Sequence, residues 1–157
     1  MYIADGKTNG PAFSWPDGKR IAVMVTFDYD AEFLRISRAK SKGTSIGFTD
    51  FSRGQYGPHE GLARCLDMLD TMNIKSTFFV PGAVIETYRD TVEEIHRHGH
   101  ELACHGYRHE SDPELSRDEM IKILDKSEAL LRDHRKKAGG TPGTGKRAPG
   151  FYAGASG

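Results

Sequence analysis

Three short apolar runs constrain the fold most, because each ends in polar or charged residues and helical patterns separate them. The runs cover residues 21–27, 76–80 and 101–104. Runs of this length, rich in β-branched and aromatic residues, are typical of strands that are buried on both faces of a sheet. Strands that alternate with helices predict an α/β fold with a parallel sheet or barrel, whose ligand site lies at the carboxyl ends of the strands.

Helical periodicity of apolar residues fills much of the remaining chain. We predict helices over residues 59–72, 84–98 and 116–136. Tyr88 is expected to divide the second helix into two pieces, and Gly99 is well placed to end it in the left-handed conformation. Ser116 and Glu119 have the spacing of a capping box, which predicts where the third helix begins.

Residues 31–58 show no such period and are rich in Arg, Lys, Ser and Gly. This stretch is too long for an ordinary connection, and loops of that length usually carry function or move. Phe48, Phe51 and Tyr56 either line a substrate cleft there or anchor the segment to the core. We predict two parts in the chain, an N-terminal arm at residues 1–20 and a single domain at residues 21–157.

Length and charge exclude several classes of function. The chain of 157 residues has 22 basic and 22 acidic residues, so its net charge disfavours binding to nucleic acid or to an anionic membrane. It has no apolar run of the roughly 20 residues that span a bilayer, and its N-terminus lacks a secretory signal, so we expect a cytoplasmic protein. Cys65 and Cys104 are interpreted as reduced, packed thiols, with a catalytic Cys104 as the less favoured alternative.

Acidic and imidazole side chains follow the first and third apolar runs. Asp28 and Asp30 come after the first, and His105 and His109 come after the third. Two histidines four residues apart can bind one metal ion, although such a pair can also face solvent, and an Asp-x-Asp pair can also form a turn or a helix cap. In a parallel sheet these four residues and Arg147 would gather at the carboxyl ends of the strands.

Three motifs in this order resemble those of the polysaccharide deacetylase family, carbohydrate esterase family 4. They are Thr-Phe-Asp-Tyr-Asp at residues 26–30, His-Gly-Tyr-Arg-His at residues 105–109 and Arg-Ala-Pro at residues 147–149. The likeness extends over about residues 21–151. Within the family, the chain is most similar to a cytoplasmic branch of peptidoglycan deacetylase-like proteins, allantoinase-like enzymes and cyclic-imide hydrolases. The segments that carry this likeness are Phe-Asp-x-Asp-Ala-Glu, Phe-Phe-Val-Pro-Gly and His-Gly-Tyr-x-His-Glu.

The resemblance implies a distorted (β/α) barrel of about seven strands and a metal-dependent hydrolase of non-peptide carbon–nitrogen bonds. It implies that Asp30, His105 and His109 bind a divalent metal ion, zinc by preference. Asp28 would be the general base, and Arg147 would keep Asp28 ionised and oriented. The expected substrate-binding residues are Tyr29, Tyr107 and Pro149.

The chain departs from the family pattern in two ways. Tyr29 separates two aspartates that are adjacent in the family's common first motif, and the elements that close the barrel and bring a general acid are expected beyond Gly157. A non-catalytic module, or a fragment that associates with another copy or a partner chain, is therefore the second hypothesis. For the substrate, N-acetylated amino sugars of polysaccharide or peptidoglycan come first. Small cyclic imides and ureides, enclosed by residues 31–58 as a lid, are the alternative.

Overall fold

The computed structural model describes residues 16–110 and 115–137, with side chains as far as residue 134. Most of the predicted N-terminal arm, together with Arg147 and Pro149, lies outside the described residues. The described sheet has three parallel strands in the order β1-β2-β3. They are β1 (Thr26–Asp28), β2 (Thr77–Val80) and β3 (Glu101–Cys104).

Helices connect these strands and cover them. They are α1 (Phe33–Ser41), α2 (Phe48–Tyr56), α3 (Leu62–Thr71), α4 (Gly82–Thr87), α5 (Arg89–Arg97) and α6 (Arg117–Lys137), with a 3-10 turn at Pro16–Gly18 and a π-helical turn at Gly57–Gly61 before α3. The predicted α/β fold with a parallel sheet is confirmed. Closure into a barrel of about seven strands stays a prediction, since the described residues form three strands.

The core lies where β2 meets the helices that follow it. Phe78 of β2 is 2 % exposed and pairs in register with Phe27 and Leu102 of the neighbouring strands. Val84 of α4 and Val92 of α5 are completely buried in the same cluster. Phe78 and Val80 of β2 are buried and the alternate residues Thr77 and Phe79 are partly buried, so the apolar run that predicted this strand lies in the core.

The predicted division of the second helix is confirmed. α4 and α5 meet at Tyr88, which has non-helical backbone angles. Gly99 has a φ of 75° and ends α5, as predicted. Its amide donates to the carbonyl of His96 at 2.9 Å, and the amide of His100 donates to the carbonyl of Ile95 at 3.2 Å, which are the two hydrogen bonds of a Schellman motif.

The capping box of α6 is also confirmed. The amide of Glu119 donates to the hydroxyl of Ser116 at 3.3 Å, and the Ser116 amide donates to the carboxylate of Glu119 at 2.9 Å. Ser127 and Leu131 carry the buried face of this helix. Within residues 16–110 and 115–137, no helix is both long and apolar enough to cross a membrane.

The first predicted strand is wrong in its extent and its burial. The strand spans Thr26–Asp28 rather than residues 21–27, and the apolar residues before it are largely exposed: Ile21 by 74 %, Val23 by 78 % and Met24 by 84 %. In the described part of the chain β1 pairs only with β2, so one edge of β1 has no neighbouring strand. An apolar run predicts burial only when another element is there to cover it.

Residues 31–58 form two helices instead of the irregular loop expected from their composition. Arg35 of α1 and Asp50 of α2 form an ion pair at 3.2 Å that joins the two helices. Gly54 of α2 packs on the backbone of Glu32, and a Cβ atom at Gly54 would lie 2.4 Å from the Cα atom of Glu32. Tertiary contacts thus stabilise helices that intrinsic propensity alone would not predict.

Candidate metal centre

Asp30 lies just beyond the carboxyl end of β1, on a chain that is hydrogen-bonded to β2. The amide of Tyr29 donates to the carbonyl of Phe79 at 2.8 Å, which continues the ladder by one residue. Ala31 then turns the chain with a φ of 50°, and the carbonyl of Asp30 accepts the amide of Phe33 at 3.1 Å as α1 begins. The Asp30 side chain is held at the strand end with 12 % of its surface exposed.

His105 and His109 come from the turn that follows β3. The amide of His105 donates to the carbonyl of Val80 at 3.3 Å, so β2 anchors the chain on this side as well. Gly106, with a φ of 71°, and His109, with a φ of 59°, both have left-handed backbone angles. A left-handed residue with a Cβ costs roughly 1–2 kcal/mol, so the surrounding contacts must hold His109 in place.

The three side chains converge on one point. The Nε2 atom of His105 lies 3.6 Å from Oδ1 of Asp30, and Nε2 of His109 lies 3.8 Å from Oδ2 of Asp30. One ligand atom from each residue falls within 4.8 Å of the other two. The imidazole rings are 4.9 Å apart and nearly perpendicular, so their nitrogens approach the carboxylate from different directions.

Two atoms of this cluster are buried without a hydrogen-bond partner, Oδ1 of Asp30 and Nε2 of His105. Leaving a buried polar atom unpaired costs about 1–3 kcal/mol. Two such atoms facing each other across 3.6 Å fit a cation that both would bind. Two imidazoles and a carboxylate are also a donor set typical of catalytic zinc, which keeps a further position open. The residues present therefore fit a divalent metal ion.

Electrostatics at the cluster are consistent with this fit. Burial raises the pKa of the Asp30 carboxyl, and the neighbouring His105 and His109 act in the opposite direction. The charge of Asp28 raises this pKa further, whereas Arg38 of α1 lowers it. A carboxylate is thus desolvated among imidazoles, an arrangement that a bound cation would compensate.

The structure places the other predicted site residues as follows. Asp28 is exposed at the end of β1, close enough for its charge to act on Asp30. Tyr29 is 6 % exposed and packs in the core, where its hydroxyl group is 2.7 Å from that of Thr91. Tyr107 is half-buried, and its hydroxyl donates to Glu86 at 2.7 Å. Substrate contact by either tyrosine stays a prediction, as do the roles of Arg147 and Pro149.

Cys104 is 8 % exposed at the end of β3, and burial raises the pKa of its thiol. A catalytic cysteine requires the thiolate, which this environment disfavours. The structure therefore supports the interpretation of Cys104 as a packed residue.

Sequence reasoning missed three residues that act on the cluster: Ser37, Arg38 and Glu110. The hydroxyl of Ser37 donates to the carbonyl of His109. Glu110 accepts two amides of the turn that carries the histidines. Glu110 could have been noticed because it directly follows His109, but the two residues of α1 had no signal while residues 31–58 were interpreted as a loop.

Comparison with known proteins agrees with the three motifs. Residues 16–150 match the family model described as polysaccharide deacetylase. The chain belongs to this family. A peptidoglycan deacetylase-like protein of Gibberella zeae is 31 % identical over 137 residues, covering 86 % of this chain and 37 % of that protein. A peptidoglycan deacetylase of Helicobacter pylori is 34 % identical over 120 residues, covering 76 % of this chain and 40 % of the relative.

A solved structure shows the same fold. The crystal structure of a candidate polysaccharide deacetylase from Mycobacterium smegmatis superposes with a TM-score of 0.69 and 39 % identity, covering 85 % of this chain and 46 % of that one. The chain thus spans less than half the length of each of these three polysaccharide deacetylase relatives. The residues that match the family model include Asp30, His105 and His109.

Proposed function

We propose that this chain provides the metal site of a metal-dependent hydrolase of non-peptide carbon–nitrogen bonds, which removes N-acetyl groups from amino sugars of polysaccharide or peptidoglycan. The observation that carries the proposal is the convergence of Asp30, His105 and His109 with two unpaired buried atoms between them. The family membership supports the reaction class. The peptidoglycan deacetylase of Helicobacter pylori supports the substrate class.

The residues would divide the work as follows. Asp30, His105 and His109 would bind a divalent ion, zinc by preference because two nitrogens and one carboxylate oxygen suit it. That ion would supply Lewis acidity toward a water molecule and toward the carbonyl oxygen of the amide. Asp28, exposed beside the cluster, would accept the proton of the water on a carboxylate oxygen, and Arg147 would keep Asp28 ionised.

Small cyclic amides remain a second candidate substrate because of the position of residues 31–58. α1 starts next to Asp30 and contacts the backbone of His109 through Ser37, so this segment borders the cluster on one side. A bordered site suits a small substrate that must be enclosed, such as an imide or a ureide. The same amide chemistry serves both classes of substrate.

Metal binding is the first test. We expect the chelator-treated chain to bind one zinc ion in a calorimetric titration and the Asp30→Ala variant to lose this binding. Asp125→Ala removes an exposed carboxylate from α6 and should bind zinc as the parent chain does. Equal zinc affinity in all three proteins would refute the assignment of Asp30 as a ligand.

Substrate class is the second test, and it is made with a hydrolysis assay. We expect turnover of N-acetylglucosamine oligomers, and we propose assaying succinimide, hydantoin and allantoin beside them. Turnover of the cyclic amides alone would contradict the deacetylase assignment. Zinc binding without turnover of any substrate would favour a non-catalytic metal-binding module instead.

A further inference from the structure

The turn that carries both histidines, residues 105–110, is held by contacts that involve no ligand atom. We call it the histidine turn. Its two left-handed residues, Gly106 and His109, reverse the chain so that both imidazoles face Asp30. The left-handed conformation is natural for Gly106 but unfavourable for His109, so the position of His109 depends on its neighbours.

Glu110 closes the histidine turn from within. One oxygen of its carboxylate accepts the amide of Tyr107 at 3.1 Å, and the other accepts the amide of Arg108 at 2.9 Å. The carboxylate lies directly against Gly106, where a Cβ atom would approach Oε2 of Glu110 to 3.3 Å. Both oxygens of Glu110 thus bind the backbone of the turn, and the ligand atoms that converge come from Asp30, His105 and His109.

Ser37 holds the same turn from outside. Its hydroxyl donates to the carbonyl of His109, the residue with the unfavourable backbone angles. Ser37 lies on α1, and this helix begins with the hydrogen bond from Phe33 to the carbonyl of Asp30. One helix therefore contacts the backbone of two of the three proposed ligands and fixes their relative position.

We propose that Glu110 and Ser37 are positioning residues that preorganise His109 for the metal ion, an inference that rests on the proposed metal site. Neither side chain donates a ligand atom, yet metal affinity depends on both. Residues that orient metal ligands typically change affinity by about 10- to 100-fold when they are replaced. We expect a loss of this size in Glu110→Ala and in Ser37→Ala.

The chain offers a matched control for each variant. Glu119 accepts a backbone amide three residues earlier, as Glu110 does, but in the capping box of α6. Ser41 lies one turn after Ser37 on α1, and its hydroxyl donates to the carbonyl of Ser37. Glu119→Ala and Ser41→Ala should therefore reproduce the effects on folding without the effect on metal affinity.

The test is titration of the full chain and these four variants with Co²⁺, followed by calorimetry and by the visible absorption of the bound ion, with circular dichroism to confirm folding. We expect weaker binding and an altered cobalt spectrum in Glu110→Ala and Ser37→Ala. Ser37→Thr, which keeps the hydroxyl, should restore the binding affinity and the cobalt spectrum of the parent chain. If Glu110→Ala fails to fold, the positioning role is tested by Ser37→Ala, Ser37→Thr and Ser41→Ala.

Two outcomes separate this inference from the proposed function. If the parent chain binds Co²⁺ and Asp30→Ala does not, but Ser37→Ala and Glu110→Ala bind like their controls, the positioning roles are wrong and the metal site stands. If the parent chain itself binds neither Co²⁺ nor Zn²⁺, the proposed function fails, and the positioning roles fail with it.

Discussion

His100 is a buried imidazole at the amino end of β3, away from the metal cluster. It is 4 % exposed, and its Nδ1 atom accepts the amide of Ser76 at 3.4 Å. Burial lowers its pKa, and the nearby ammonium of Lys75 lowers it further. Accepting an amide at Nδ1 requires that this nitrogen carry no proton, so the fold favours neutral His100.

This preference predicts a pH-dependent stability. The unfolded chain takes up a proton on His100 below about pH 6.5, more readily than the folded chain does. The contribution of neutral His100 to the free energy of unfolding is fully present above about pH 6.5. It is lost as the pH falls through the lower pKa that His100 has in the folded state. His100→Asn keeps an acceptor near Nδ1 but does not titrate. We therefore expect His100→Asn to lose less unfolding free energy than the parent chain between about pH 7.5 and pH 5.5, as measured in urea titrations.

An exposed histidine provides the control for this measurement. His59→Asn replaces an exposed histidine elsewhere in the chain and is measured in the same urea titrations. If His100→Asn loses as much stability on acidification as the parent chain does, His100 is not the group responsible.

The residues of the cluster could be anticipated from the sequence, and the residues that hold them could not. Asp30 and His105 come just after the first and third strands, and parallel strands bring their carboxyl ends together at one edge. The convergence of these residues with His109 was therefore predictable. Ser37 contacts the carbonyl of His109, which lies 72 positions later in the sequence. No local sequence pattern predicts a contact over that separation.

At the scale of the elements, α3, α5 and α6 were predictable because their apolar residues keep one buried face. α1 and α2 were not, because Gly, Ser, Arg and Lys obscure their period and their stability comes from packing. The contact between Gly54 of α2 and the backbone of Glu32 is one source of that stability. It brings α2 against the chain that follows Asp30.

This close contact predicts the effect of adding a methyl group. In Gly54→Ala the new Cβ atom would lie 2.4 Å from the Cα atom and 3.0 Å from the amide nitrogen of Glu32, and backbone atoms cannot rotate away. We expect a loss of about 1–3 kcal/mol of unfolding free energy by urea denaturation. Gly47→Ala, at a position with no atom within 4 Å, should cost less than about 1 kcal/mol. Equal losses would show that the two helices do not pack as described.

At the scale of the whole molecule, the sheet order explains the largest error of the sequence interpretation. β1 lies at the edge of the described sheet, and Val23 and Met24 before it are 78 % and 84 % exposed. The composition of residues 21–27 indicated a covered strand, and composition cannot show whether a covering element is present. Exposed apolar residues beside an open edge favour association with another chain.

We therefore expect the chain of 157 residues to self-associate, as measured by sedimentation at increasing concentration. Val23→Lys places a charge before the edge strand of the described sheet and should shift the population toward the monomer. Ile121→Lys changes an exposed apolar residue of α6 and serves as the control. A parent chain that remains monomeric across the concentration range would contradict this expectation.

The central claim is that Asp30, His105 and His109 bind one metal ion. The most direct measurement is the anomalous diffraction of crystals of the chain grown with zinc. The account predicts a single strong peak at about 2.0–2.2 Å from Nε2 of both histidines and from a carboxylate oxygen of Asp30. A zinc peak bound elsewhere, with none among these three side chains, would contradict it.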